Sequence, residues 1–347
     1  MAVVVEIDAA EARRLRARAH ALAGSALSPS EVVARAIAFQ GQDLAAVLSA
    51  IALRSAPGTV PDDVRSAFDR GELVRGWPMR GTLFATTPDD LAGLLSLTGE
   101  RVRAAAARRR AALGLDSATI DRAREVALEA LATGPVSRDD LAGAWNAAGI
   151  ATDGGRGYHL IFHLAVEGLV HWGPFRGNEQ LLARTPSVPV EPSDAVLSRV
   201  ARGYLVARGP ATLDDLAWWT KLPKTLLRPA VEALDGLERV AVEGRAMLRI
   251  DDGLGGDAPH VVLVPGFDEW VLGYQDRSLV ATGPMLDALV PGGNGVFRPA
   301  ILLDGRVVGT WLAPGGRRKS AVAELVEDVS ARDRKAIDAA LAELAAR

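Results

Sequence analysis

The chain has 347 residues and a formal net charge of −3, a length that allows about two to four small domains. Cysteine is absent, which excludes disulfides, thiolate catalysis and every cysteine-based zinc or iron–sulfur site. No apolar run approaches the ~18 residues of a membrane span, and Met1-Ala2-Val3-Val4-Val5-Glu6-Ile7-Asp8 has none of the regions of a signal peptide, so a cytoplasmic location without membrane contact is expected.

In chain order, an amphipathic helix is predicted from about Ala9 to Leu22. Ser28-Pro29-Ser30-Glu31 starts the next: Ser28 caps, Pro29 fits the first helical position and Glu31 closes the box. Its apolar face is Val32, Val33, Ala36 and Ile37, with Phe39 beyond. Helices follow at about Leu44–Leu53 and Pro61–Asp69. Leu73–Arg75 and Arg80–Thr86 read as a hairpin around Gly76-Trp77-Pro78, and Gly99–Leu113 as a strongly basic helix.

An internal repeat organises the middle of the chain. Gly134-Pro135-Val136-Ser137-Arg138-Asp139-Asp140-Leu141-Ala142 recurs as Gly209-Pro210-Ala211-Thr212-Leu213-Asp214-Asp215-Leu216-Ala217. Both copies carry a helix-start box, Ser137 with Asp140 and Thr212 with Asp215. Each is preceded by a helix, roughly Ile120–Ala132 and Ala195–Ala207. Each is followed by a helix containing Ala165–Leu169 or Ala230–Leu234, and then by a strand pair. The pairs are Leu169–Trp172 with Gln180–Ala183, around Gly173-Pro174, and Arg239–Val242 with Ala246–Ile250, around Glu243-Gly244.

Three helices and a hairpin in about 60–70 residues is the winged-helix plan, in which the third helix reads the major groove of DNA. The segment from Ser28 to Thr86 fits it as a third copy. After about residue 253 strands take over: Val261–Val264, Ala300–Leu303 and Val307–Trp311, with a tight turn at Asp304-Gly305. A last helix is expected from about Glu327 to Ala345. The expected fold is therefore α-rich α+β, with three tandem winged-helix units and a small C-terminal β-containing, partial-barrel domain. The boundaries are 1–118, 119–188, 189–252 and 253–347. Double-stranded DNA is the expected partner, which needs a basic face and not a basic total. An internal tandem array makes a monomer sufficient and a nucleoid-associated location natural.

Several residue groups invite a chemical reading. Gln40-Gly41-Gln42-Asp43 follows an amphipathic helix. In an unbroken helix the two amides would point about 200° apart. Gly41 and the capping residue Asp43 favour a break, where both amides face one cleft or bond to local backbone. Arg101, Arg103, Arg108, Arg109 and Arg110 form either a solvated basic face or a phosphate track. His159, His163 and Glu167 share a helix face, but with five histidines and no cysteine no metal is expected. Asp268 and Glu269 are adjacent and so face apart, which argues against an acid/base pair. No phosphate-binding glycine loop, dinucleotide fingerprint or nucleophile elbow is present, and no cofactor is expected.

The order of several short motifs resembles the AlkZ and YcaQ group of bacterial winged-helix DNA glycosylases over nearly the whole chain. These are Gln40-Gly41-Gln42-Asp43, Trp77-Pro78-Met79-Arg80-Gly81-Thr82-Leu83, Gly157-Tyr158-His159-Leu160, Gly209-Pro210-Ala211-Thr212 with Trp218-Trp219, Pro265-Gly266-Phe267-Asp268-Glu269-Trp270 with Leu272-Gly273-Tyr274, and Pro291-Gly292-Gly293-Asn294-Gly295. The resemblance implies that Gln40 and Gln42 are the ends of a catalytic Gln-x-Gln motif, the AlkZ-like branch. The chain departs from the pattern at Gly41, where relatives usually carry a side chain, and at Phe84, where they often carry His.

The implied activity suits the residue type. Hydrolysis of an ordinary glycoside uses one carboxyl group as acid and another as base or nucleophile. Amides do neither, but they hold a water and face positive charge on the sugar. That suffices for a leaving group that is already cationic, such as an N7-alkylated purine. The resemblance extends this to bulky adducts and interstrand crosslinks, worked on in an open cleft and not by ordinary base flipping. The expected enzyme is a monofunctional repair glycosylase, since no lysine lies near the glutamines. Antibiotic self-resistance and housekeeping repair are both open to it. Expected DNA contacts are Arg80, Thr82 and Trp77 on the first hairpin, Arg108, Arg109 and Arg110, and Arg156 and His159. The alternative is a winged-helix transcriptional regulator without catalysis.

Overall fold

The computed structural model describes residues 4–186, 188, 191–314 and 318–345. The chain is mixed α+β and helix-rich, and one order of elements occurs three times. Helices Pro29–Ala36, Leu44–Arg54 and Pro61–Asp69 precede strands Val74–Met79 and Thr82–Thr86. Helices Ser117–Ala130, Arg138–Ala147 and Arg156–Val166 precede Val170–Arg176 and Glu179–Arg184. Helices Ser193–Arg208, Leu213–Thr220 and Lys224–Glu232 precede Leu237–Val242 and Arg245–Ile250. The expected caps are present: Ser28, Asp43, Ser137 and Thr212 each accept the backbone N–H three residues on. Each such cap stabilises its helix by about 1 kcal/mol.

Two hairpins turn later than Gly76-Trp77-Pro78 and Gly173-Pro174 led us to expect. The first strand runs straight through Gly76-Trp77-Pro78 to Met79, with an irregular register between Gly76 and Met79. The turn is Arg80-Gly81, with φ of 58° and 70°, the left-handed pair of a two-residue hairpin turn. In the second hairpin the ladder is likewise irregular between Trp172 and Phe175 and continues to Arg176. A ladder irregularity accommodates a proline that has no N–H to donate. The turns at Glu243-Gly244 and Asp304-Gly305 lie where expected.

The first two hairpins share one sheet. Arg75 pairs with Trp172, which fuses them into a five-stranded sheet, and strand Ala38–Gln40 forms its outer edge beside Thr82–Thr86. The expected basic helix is the end of a longer one, Pro88–Ala105, which breaks at Ala106 before a short helix Ala107–Ala112. Thr87 caps it through the Asp90 amide.

Strand Val5–Ile7, which the sequence did not announce, lies parallel to Leu237–Val242. Helix Ala9–Ala19 follows it, and Arg16 donates to the Pro210 carbonyl at 2.8 Å. Strands Val261–Val264, Ala300–Leu303, Arg306–Leu312 and Val322–Leu325 form an antiparallel sheet. Ile337 and Leu341 of helix Ala331–Ala345 pack on its Ile301, Val308 and Trp311. No helix among the described residues is long and apolar enough to cross a membrane.

His260 ties that sheet to the terminal helix: Nδ1 meets Asp304 and Nε2 meets Asp333, each at 2.9 Å. The bond to Asp304, then that to Asp333, raises the imidazole pKa above its ordinary value. A raised pKa stabilises fully below the unfolded value of about 6.5 and loses its effect as pH rises through the folded one. The Tm difference between wild type and His260→Ala is therefore expected to be about 1 °C near pH 5.5 and to shrink as pH rises, the scale of an exposed pair. A difference independent of pH would refute the charged clip.

Candidate active site

Helix Pro29–Ala36 ends at Ile37, which takes φ of 70°. This costly conformation for a branched residue turns the chain into strand Ala38–Gln40. Room for Ile37 comes from Gly203, where a Cβ would sit 2.5 Å from Ile37 Cγ1. The expected helix break is thus a strand edge, in which positions two apart point to the same side.

Gln40 is 6% exposed and pairs with Phe84. Its Oε1 accepts the Gly41 N–H at 3.1 Å and its Nε2 donates to Thr82 Oγ1 at 3.4 Å. The ladder runs one step further, with Gly41 N donating to the Leu83 carbonyl at 2.7 Å. The returning Leu83 N–H then leaves the ladder and donates to Gln42 Oε1 at 3.3 Å. The two amides therefore converge on Thr82–Leu83, and a backbone N–H fixes which way each carbonyl points. Gln40 is enclosed, whereas Gln42 is exposed. A Cβ at Gly41 would stand 3.0 Å from the Ala85 nitrogen and 3.1 Å from the Phe84 carbonyl carbon. Glycine lets the two strands approach this closely. Asp43 caps the next helix through Ala46 N at 2.9 Å.

Behind the motif lies a dry ionic network. The backbone N–H of Gln40 donates to Glu269 Oε1 at 2.8 Å. Glu269 Oε2 accepts Arg208 Nε at 2.9 Å and Trp219 Nε1 at 3.1 Å. Arg208 also donates to the carbonyls of Ala36 and Ala38. The side chains of Arg208 and Glu269 are 1% and 2% exposed. Asp268 faces elsewhere, as adjacent residues must, and takes both terminal nitrogens of buried Arg54. The two carboxylates do not act together, but Glu269 anchors the catalytic candidate's strand. Its proximity to Gln40 left no mark in the sequence, since 229 positions separate them. On the other side Arg75 reaches the Gly41 carbonyl at 3.4 Å. Burial lowers its guanidinium pKa to about 10.

The expected DNA contacts fall into two groups. Thr82 touches Gln40 directly. Arg80 folds back: Nη1 donates to the Leu272 carbonyl at 3.3 Å, and the guanidinium lies 4.4 Å from the Trp218 ring centre. Burial lowers its pKa. Trp77, expected at the DNA surface, is 1% exposed and packs edge-on against Tyr158 and Phe162. It supports Tyr158, which was not among the expected DNA contacts and is 39% exposed beside His159. Arg108 and Arg109 are exposed, and Arg110 donates to the Arg103 carbonyl. Arg156 joins the start of its helix to the Leu113 carbonyl just after Ala107–Ala112. His159 lies within the field of Arg109 and Arg110, and burial first, then these two charges, lowers its pKa. The structure thus gathers Arg108–Arg110, Arg156 and His159 into one basic surface. Glu167 is taken by Arg124 at 3.0 Å and His163 at 3.3 Å.

These features combine a polar motif, whose one carboxylate, Asp43, caps the next helix, with basic surfaces and occur in a fold seen before. The chain superposes on the solved structure of Streptomyces sahachiroi DNA glycosylase AlkZ with a TM-score of 0.81 at 24% identity, covering 98% of this chain and 96% of that one. It is 29% identical over 309 residues to a protein of the same organism named interstrand DNA cross-link repair glycosylase, covering 82% of each. A family model described as DNA glycosylase AlkZ-like matches residues 33–347. The class is therefore DNA glycosylase, a hydrolase of N-glycosyl bonds. The chain belongs to the AlkZ-like DNA glycosylase family.

Proposed function

We propose that the chain hydrolyses the N-glycosidic bond of cationic N7-alkylated purines in double-stranded DNA, including bulky adducts and interstrand crosslinks. The observation that carries this reading is the pair of amides: Gln40, held by the Gly41 N–H and Thr82 Oγ1, and Gln42, held by the Leu83 N–H. Exposed Gln42 has a second lone pair on its carbonyl oxygen to take a proton of water or to face positive charge at C1′, and enclosed Gln40 positions the strand edge beside it. The water oxygen bonds to C1′ as the C1′–N9 bond breaks. The purine leaves neutral, and the water's proton passes to solvent, so charge balances without a protein acid.

We read the three repeated element sets as tandem winged helices, bounded at 1–118, 119–188 and 189–252, with a β-containing partial barrel at 253–347. Two short bridges support this reading. Val136 pairs with Leu182, and Ala211 pairs with Leu248, so each repeated Gly-Pro segment adds a minimal third strand to its hairpin. Gln40 does the same beside Phe84. Arg108, Arg109, Arg110, Arg156 and His159 would follow the phosphates, with the chain acting as a monomer.

The test is single-turnover incubation with one duplex carrying an N7-alkylguanine and another carrying an N7-linked interstrand crosslink. Release of free base with an abasic product is expected from both. Tight binding to one unmodified sequence without base release would establish the regulator instead.

A further inference from the structure

Three segments far apart in sequence converge on one indole. Trp218 lies on helix Leu213–Thr220 and is half-buried. Arg80, from the first hairpin turn, stands 4.4 Å from its ring centre. Lys221, just past the helix end, and Arg277, after the Glu269–Leu272 helix, stand at 5.4 Å and 5.5 Å. A fourth cation approaches, since Arg101 donates to the Lys221 carbonyl at 3.0 Å.

Several arginines at segment junctions meet an acid, as Arg35 meets Asp252, Arg249 meets Glu238 and Asp251, and Arg245 meets Asp276. Arg80, Lys221 and Arg277 do not form an ion pair among the described residues. Arg80 and Arg277 bond only to the carbonyls of Leu272 and Val271. Nearby Glu269 is fully engaged by Arg208, Trp219 and the Gln40 amide. Burial lowers the pKa of both arginines; at Arg80 the Glu269 carboxylate works against this and Arg277 adds to it. Three cations held together with no ion-pair partner of their own leave a local excess of positive charge. An aromatic face offsets this in part, by about 0.5–2 kcal/mol per contact, and an anion would offset the rest.

The cluster adjoins the glutamine motif. Arg80 lies 5.6 Å from the ring centre of Phe84, the cross-strand partner of Gln40. Two residues after Arg80, Thr82 receives the Gln40 amide. An anion held here would be positioned beside the reacting sugar.

We propose that Arg80, Lys221 and Arg277, arrayed on Trp218, clamp a DNA phosphodiester flanking the modified nucleotide. This rests on the glycosylase reading and deepens it. The planar forks of the two arginines suit two phosphate oxygens, and lysine adds a point charge. Arg101 carries positive charge from the clamp onto helix Pro88–Ala105, which leads to Arg108–Arg110.

The test uses the full chain, with Lys221→Gln on the exposed side and Arg277→Gln on the half-buried side. Thermal melting verifies the fold of each. Duplex affinity is measured by anisotropy across a salt series, and phosphate ethylation interference is mapped around an N7-alkylguanine. Each replacement is expected to make the slope of log K against log salt shallower by about 0.9. Interference at phosphates flanking the modified guanine should weaken in each variant and weaken further in the double variant, which keeps Arg80. An unchanged slope with an unchanged map overturns the clamp. So does competition by inorganic phosphate at this site without loss of duplex affinity, which would mark it as a free-ion site. If wild type releases no base, the glycosylase reading fails while the slope and map still report on the clamp.

Discussion

Replacing Glu269 with alanine is expected to lower the melting temperature by about 5 °C. The carboxylate holds three donors in a dry setting: Gln40 N, Arg208 Nε and Trp219 Nε1. Its removal leaves the Arg208 charge uncompensated at 1% exposure and orphans the Gln40 and Trp219 donors. Breaking a buried pair from one side costs about 3–5 kcal/mol, and each kcal/mol moves Tm by about 1–2 °C in a chain of 347 residues. Arg208→Met should cost a similar amount for the converse reason. The double replacement Arg208→Met, Glu269→Leu removes both charges and should recover most of the lost stability. It should not recover activity, because the Gln40 N–H still lacks its acceptor and the strand edge is free to shift. Calorimetry of the three variants with base release at low temperature separates the two effects. Additive losses in the double variant would show that the pair contributes packing and not charge.

The fold was legible where local chemistry decides it. Capping boxes at Ser28, Ser137 and Thr212 mark helix starts to the residue, and Asp304-Gly305 marks its turn. Misreadings came from treating Gly76-Trp77-Pro78 and Gly173-Pro174 as stop signals in strands whose ladders bend around them. Parallel pairing of Val5–Ile7 with Leu237–Val242 was invisible, because nothing in a three-residue strand announces a partner that distant. The candidate site was half legible. Gln40 and Gln42 stood out as residue types, but the repeat that contains them did not. Counting back from the caps Asp43, Ser137 and Thr212 puts Gln40-Gly41-Gln42 in register with Gly134-Pro135-Val136 and Gly209-Pro210-Ala211. All three segments lie against the second strand of their own hairpin. The cap spacing was a usable signal, masked because the motif keeps none of the repeat's residues. Gly41 suits the same geometry: the strand beside Phe84 and Ala85 runs so close that a Cβ would need its neighbours to give by about a few tenths of an ångström. Glu269, Trp218, Lys221 and Arg277 meet the motif or its surroundings only through tertiary contact, beyond the reach of spacing.

Gln42→Ala is expected to slow single-turnover release of an N7-alkylguanine by about 10²-fold, the scale of a lost positioning contact at a reacting centre. Duplex affinity should stay within about 2-fold, since Gln42 is exposed and neutral, and its single bond to the Leu83 amide can pass to water. Gln40→Ala should cost at least as much activity and some stability, because Gln40 is buried and joins Thr82 to the strand edge. The sharper test is pH. Amides do not titrate, and a cationic purine needs no acid to leave, so the wild-type rate should be flat between about pH 5 and about pH 8. Gln42→Glu places a carboxylate at the exposed position, with an unperturbed pKa of about 4.3. Its rate should be highest when that group is ionised and should fall as pH drops toward that value, because an anion faces positive charge at C1′ better than a dipole does. A wild-type rate that rises or falls with a single pKa in this range would point to a titrating group outside the glutamine pair and remove the amides from the chemical step. A flat wild-type profile beside a titrating Gln42→Glu profile would place the reacting sugar within reach of this one side chain.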